Sequence, residues 1–248
     1  MTSYKLRVPH TAKQLVARSL SLKTKNMTTH ETIKEIKGQF RLFMNGAVSQ
    51  SMREKGLDYK LNFGIELPRL KEISLRYEKN HSLAGELWKE NIRECKILAT
   101  LLQPIETFLP EIADIWVEDI RHQEMAEIAC MNLFQHLPYA STKAFQWIAD
   151  EREFFQVCGF LTLARLFMKG CQLNERAENE FFDQAVATLT NEKENHRPAQ
   201  AAFTALRMYA RLGKSQAQAT LKATSSINSN DKKYGQIIRQ QLEEEIIE

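Results

Sequence analysis

The sequence is short of the residues that turns consume. Six prolines and nine glycines in 248 residues are too few for a sandwich or a barrel, whose many turns need them. No apolar run is long enough to span a bilayer. The most apolar segment, FFQVCGFLTLARLF at 154–167, carries Gln156 and Arg165 and reads as a buried helix. The four cysteines, Cys95, Cys130, Cys158 and Cys171, form no CxxC pair. Each sits among apolar residues on a helical pattern, so they are expected as free thiols in the core, as a reducing cytoplasm allows. No GxGxxG or P-loop string occurs, and no cofactor is expected. The six histidines show no ligand spacing. The string His-Gln-Glu-Met-Ala-Glu at 122–127 lacks the second histidine of HExxH, so no metal is expected either.

Charge is present but unevenly placed. Residues 1–27 hold six basic residues and no acid, and residues 28–248 hold 28 basic and 31 acidic ones. Within that mildly acidic body, residues 195–239 carry eight basic residues against one acid, Asp231. Such a block attracts polyanions. The first 27 residues lack the apolar core of a secretory signal. They fit a basic extension, disordered or mitochondrial-transit-like, or a start assigned too early. Thr28 and Glu31 have capping-box spacing, which places the start of the fold there.

From residue 28 onward the period is helical. Ile33, Ile36, Phe40 and Met44 follow i, i+3, i+7, i+11, and Phe154, Val157, Cys158 and Leu161 follow i, i+3, i+4, i+7. The one alternating stretch, YKLRV at 4–8, has no partner. Breaks fall at Pro68, Pro104, Pro110, Pro138 and Pro198. A layout recurs: a helix ends near a tryptophan and a polar turn follows. A more apolar helix with a cysteine inside comes next. Trp88, Trp116 and Trp147 lie 28 and 31 residues apart, the length of one helix hairpin. A lone hairpin cannot bury its apolar face, so neighbours stack. The expectation is an all-α chain, a right-handed α-α superhelix of HEAT-like repeats forming a single domain over 28–248.

Several segments, taken in order, carry a family likeness. NFGIELPRLKEIS (62–74) is a loop entering a helix, with Gly64 permitting a turn and Pro68 opening the helix. With ELWKENIRECKILATLL, WVEDI, WIADEREFFQVCGFL and RPAQAAFTALRMYAR, it resembles the AlkD-like family of DNA alkylation-repair proteins over roughly residues 30–215. The resemblance implies a HEAT-like repeat fold. It also implies a DNA glycosylase, a hydrolase that excises N3- and N7-alkylpurines from duplex DNA held by its phosphates. Trp116 stands where the family has a cleft tryptophan. Ile120 stands where the family has its catalytic aspartate, and Phe203 and Thr204 lie where a second tryptophan is expected.

The candidate catalytic group is Trp116 with Asp119 and Glu118, the carboxylates next to Ile120. Negative charge near a developing oxocarbenium ion, and an aromatic face against a cationic base, are what the excision needs. Each has a plainer alternative: Trp116 as repeat-junction packing, Asp119 and Glu118 as a solvated helix end. The expected DNA contacts are Arg197, Arg207, Arg211, Lys214 and Arg152, or these form a solvated basic face. Lys232, Lys233 and Arg239 extend the block. Arg93, Arg121 and Arg152 recur near the starts of successive second helices, where they line a ridge or cap turns.

Three functions remain open: a glycosylase, a family member that binds DNA without excision, and a scaffold that binds proteins on its helical face. Duplex DNA is the expected partner of the first two. A monomer in the cytoplasm is expected throughout.

Overall fold

The fold begins where the capping box sits. In the computed structural model, which describes residues 27–190 and 196–225 with positions 227, 240, 241 and 244, Glu31 returns a carboxylate to the Thr28 amide at 2.8 Å while its own amide donates to the Thr28 hydroxyl at 3.3 Å. The basic extension, YKLRV, Lys232, Lys233 and Arg239 lie outside the described residues. Twelve α-helices and two short 3₁₀ turns make up the described chain. It contains no strand among the described residues, only one isolated parallel bridge between Leu61 and Ile92. The all-α expectation is borne out.

The chain divides into two compact units between Thr107 and Phe108. The first contains α1 (Thr29–Phe43), α2 (Gly46–Glu54), α3 (Leu67–Ser74), α4 (His81–Lys89) and α5 (Arg93–Leu102). The loop before α3 is the NFGIELP segment, and buried charge organises it. Glu94 is fully buried and accepts from the amides of Phe63 at 3.1 Å and Ile65 at 3.3 Å. Arg93, 3% exposed, donates to the Ile65 carbonyl at 3.0 Å and to Glu94 at 3.2 Å. Both Glu94 oxygens and Arg93 Nη1 thus gain partners, as such burial requires. Gly64 has φ +68°, and a Cβ there would collide with the Asn45 carbonyl and lie 2.7 Å from the Ser49 amide. Only glycine fits. Arg93 therefore caps a turn inside the unit and lines no surface ridge.

The second unit contains α6 (Pro110–Glu118), α7 (Gln123–Asn132), α8 (Ala140–Ile148), α9 (Glu153–Met168), α10 (Glu175–Thr190), α11 (His196–Ala210) and α12 (Lys214–Thr224). Pro110 opens α6 at its first position, where a missing amide hydrogen costs nothing. The predicted hairpins α6–α7 and α8–α9 are present, each with its tryptophan near the end of the first helix. Helix α9 is central, packing on α8, α7 and α11. Gly159 lets α9 approach α8 closely, since a Cβ there would sit 2.8 Å from the Ile148 amide nitrogen and 2.9 Å from the Ala144 carbonyl. Phe167 of α9, Phe181 of α10 and Tyr209 of α11 meet with centroids 4.9–5.6 Å apart. Each such side chain contributes ~1.5–3 kcal/mol on burial.

Cys95, Cys130 and Cys158 are buried as expected, but Cys171 is exposed. The reason is a helix end. Gly170, with φ +82°, donates to Phe167, and the Cys171 amide donates to Leu166. This Schellman closure turns the chain out of the helix and carries Cys171 to the surface.

Candidate nucleic-acid interface

Helices α11 and α12, with the turn between them, carry the described residues of the basic block. The buried side of α11 holds Ala202, Phe203, Leu206 and Tyr209. The opposite side shows Arg197, Gln200, Thr204 and, just past the helix end, Arg211, with Arg207 half-buried beside them. Positions 197, 204 and 211 follow i, i+7, i+14 and so share a face. They span ~21 Å of helix axis at 1.5 Å per residue. Lys214 is exposed and opens α12. Four of the five expected DNA contacts thus gather at one helix and its exit.

Carboxylates hold two of the expected contacts. Arg197 donates to Glu153 of α9 at 2.7 Å, and its guanidinium lies 5.8 Å from the Phe154 ring. Arg152 lies apart from α11, in the turn before α9. It forks onto Asp150 at 2.9 and 2.7 Å, lies 3.6 Å from Glu118 and stacks 3.5 Å over Phe155. The bonds that Arg152 donates hold the Asp150 carboxyl below its ordinary range, and the same bonds to Asp150 push the Arg152 guanidinium further up.

The candidate catalytic trio is split by burial. Trp116 is 4% exposed and meets Phe108 edge to face at 4.8 Å. Trp88 and Trp147 are buried in the same way, Trp147 against Phe134 at 5.2 Å. Ile120 is buried as well, at 1%. Glu118 and Asp119 are exposed at the end of α6, where Asp119 is the C-cap. Arg121 donates to the Glu118 carbonyl at 3.1 Å and so caps this turn. The structure therefore brings Glu118 and Asp119 together at the surface and leaves the indole beneath it.

Two interacting residues escaped the sequence reading. Asp114 accepts from the Trp147 indole at 2.8 Å and from the Lys143 ammonium at 2.6 Å. Lys143 and Trp147 are i, i+4 and share a face, a signal that was available, but the partner across the helix pair was not. No group of three or more metal-ligating side chains occurs among the described residues. No described helix is long and apolar enough to cross a membrane.

Comparison with known proteins now decides the family. A family model for the DNA alkylation repair enzyme matches residues 35–231. The chain belongs to the DNA alkylation repair enzyme family. For this family member, the likeness read from its ordered motifs is borne out. A solved structure is similar with a TM-score of 0.69 at 14% identity, covering 85% of this chain and 94% of that one. It is described as "A new family of proteins related to the HEAT-like repeat DNA glycosylases with affinity for branched DNA structures". The likeness gives this DNA alkylation repair family member the HEAT-like helical-repeat fold. No curated protein matches it significantly.

Proposed function

We propose that this chain is a DNA-docking member of the DNA alkylation repair family that binds DNA through its phosphates and does not excise alkylated purines. One observation carries this. Where the family resemblance puts the catalytic carboxylate, Ile120 lies buried, and Trp116 is packed on Phe108 rather than offered to a lesion. An oxocarbenium ion needs negative charge at a fixed distance, and an isoleucine supplies none. The exposed face of α11 and its exit into α12, with Arg197, Arg211 and Lys214 and with Arg207 beside them, supplies the phosphate contacts. The structural neighbour's affinity for branched DNA supports junctions as well as plain duplexes as ligands.

A second reading is excision by a displaced carboxylate, and the end of α6 favours it. Within a helix, one residue turns a side chain by about 100°, so Asp119 could not replace position 120. Here the helix stops at Glu118, and Asp119 stands exposed at its cap. The deciding experiment is base release from a duplex carrying 7-methylguanine, by the wild type and Asp119→Asn, alongside duplex and four-way-junction binding over a salt series. The expected result is binding that weakens steeply with salt and no release above background. Release that Asp119→Asn abolishes would establish the glycosylase instead. Neither release nor binding would leave a protein scaffold.

A further inference from the structure

Helix α1 presents a basic face that the docking proposal above does not use. Its inner side is anchored by Ile33, Ile36 and Phe40, all buried. On the outer side His30, Lys34 and Arg41 are exposed. Their spacing of i, i+4 and i+11 places them on one helix face. With Lys37 at the flank, and Glu86 of α4 and its C-cap Glu90 opposite, they border an open cleft of about 270 Å³.

The two carboxylates of this cleft are already committed. Glu90 holds Lys37 at 2.6 Å, and Glu86 holds Lys89 at 2.6 Å. Among the described residues, Lys34 and Arg41 form no ion pair, so their charges face outward. Between them lies Gly38, exposed in mid-helix, where a Cβ would meet nothing within 4 Å. Packing does not require glycine there, and the strip between the two cations is bare. A rigid, open, cationic strip is complementary to a polyanion. Lys34 and Arg41 are seven positions apart, or ~10.5 Å of helix axis. That is the axial run of about three phosphates of one DNA strand at 3.4 Å each.

We propose that this face of α1 is a second phosphate-binding surface for duplex DNA, with Lys34 and Arg41 as its principal contacts. The proposal rests on the DNA-docking reading and adds to it a surface in the first compact unit, apart from α11.

The test measures binding of a labelled duplex by fluorescence anisotropy across a salt series. The proteins are the full-length wild type, Lys34→Gln/Arg41→Gln, and Gly38→Lys. A further double variant, Arg53→Gln/Lys55→Gln, makes the same charge change at the C-terminal end of α2. Thermal melting checks the fold of each. Losing two phosphate contacts lowers the magnitude of the log–log salt slope by ~1.8, at about 0.9 per contact. The α1 pair is expected to show that loss and Gly38→Lys to tighten binding and steepen the slope, while the α2 pair keeps the wild-type slope. An unchanged slope in the α1 pair, or an equal loss in the α2 pair, overturns the proposal. If the α1 pair is silent while Arg197→Gln/Arg211→Gln weakens binding, DNA docking stands and the α1 surface falls. A wild type that binds no duplex removes both.

Discussion

The indole N–H of Trp147 donates to Asp114 Oδ1 at 2.8 Å, across 33 residues of sequence. The other oxygen of the same carboxylate holds the Lys143 ammonium at 2.6 Å. One aspartate of α6 therefore anchors two residues of α8, with the indole itself buried against Phe134. Asp114→Ala leaves a buried indole N–H without its acceptor, at a cost of about 1–3 kcal/mol. Urea denaturation should show the loss. Asp114→Asn retains an acceptor and should lose less. Equal stability of wild type and Asp114→Ala would show that the bond contributes nothing.

Glu94 is the most exacting residue of the first unit. It is fully buried and accepts from two loop amides and from Arg93. Glu94→Ala strands a buried guanidinium, for which about 3–5 kcal/mol is the usual penalty. The double variant Glu94→Ala/Arg93→Met removes both charges and should recover part of that loss. A double variant no more stable than Glu94→Ala would refute the charge account.

Two glycines should respond in opposite directions. Gly159→Ala drives a methyl group to within 2.7–2.9 Å of Ile148 and Ala144, an overpacking worth about 1–3 kcal/mol. Gly38→Ala meets nothing and removes a helix-interior glycine, a gain of ~1 kcal/mol. The melting temperature should fall for the first and rise for the second by about 2–4 °C per kcal/mol.

Thiol labelling distinguishes the cysteines. Burial pushes the Cys95 thiol up to about 12, and burial with a hydrogen bond to Cys130 raises Cys158 well above its ordinary value. Cys130 is buried as they are, so a reagent in solution reaches none of the three, whereas Cys171 is exposed. An aromatic disulfide reagent should therefore modify Cys171 alone in the folded chain, and all four cysteines after denaturation. Rapid modification of a second site in native protein would contradict the burial described.

Acid should weaken the turn before α9. The hydrogen bonds from Arg152 depress the Asp150 carboxyl. A carboxyl depressed in the folded state stabilises it above the unfolded value, near pH ~3.9, and loses that effect as pH falls through the folded value. Stability should thus decline below about pH 4, and Asp150→Asn should flatten part of that decline. An identical acid limb in both proteins would show the pair to be silent.

Helix pairing was legible from proline positions, the tryptophan interval and one capping box, because these are local signals. Burial was not. Arg93, Arg121 and Arg152 occupy the same place in successive hairpins, yet Arg93 is interior and Arg152 exposed. The difference lies in the neighbours: Glu94 and the Ile65 carbonyl receive Arg93 inside, while Asp150 receives Arg152 at the surface. The contact between Arg197 and Glu153 spans 44 residues and depends on how α9 and α11 are staggered, which no local pattern encodes. Trp116 was legible as a recurring residue. Periodicity alone could not say whether its ring faced the neighbouring repeat or a ligand.

Arg197 holds Glu153, and Arg152 holds Asp150. If DNA binds here, each arriving phosphate meets a guanidinium that already holds a carboxylate, so docking at these arginines is a competition between anions. A displaced carboxylate leaves its charge behind, close to the incoming strand. The interface then discriminates by phosphate density. Dense, ordered phosphate arrays compete better with the protein's own acids than a lone phosphate does, because many contacts act together.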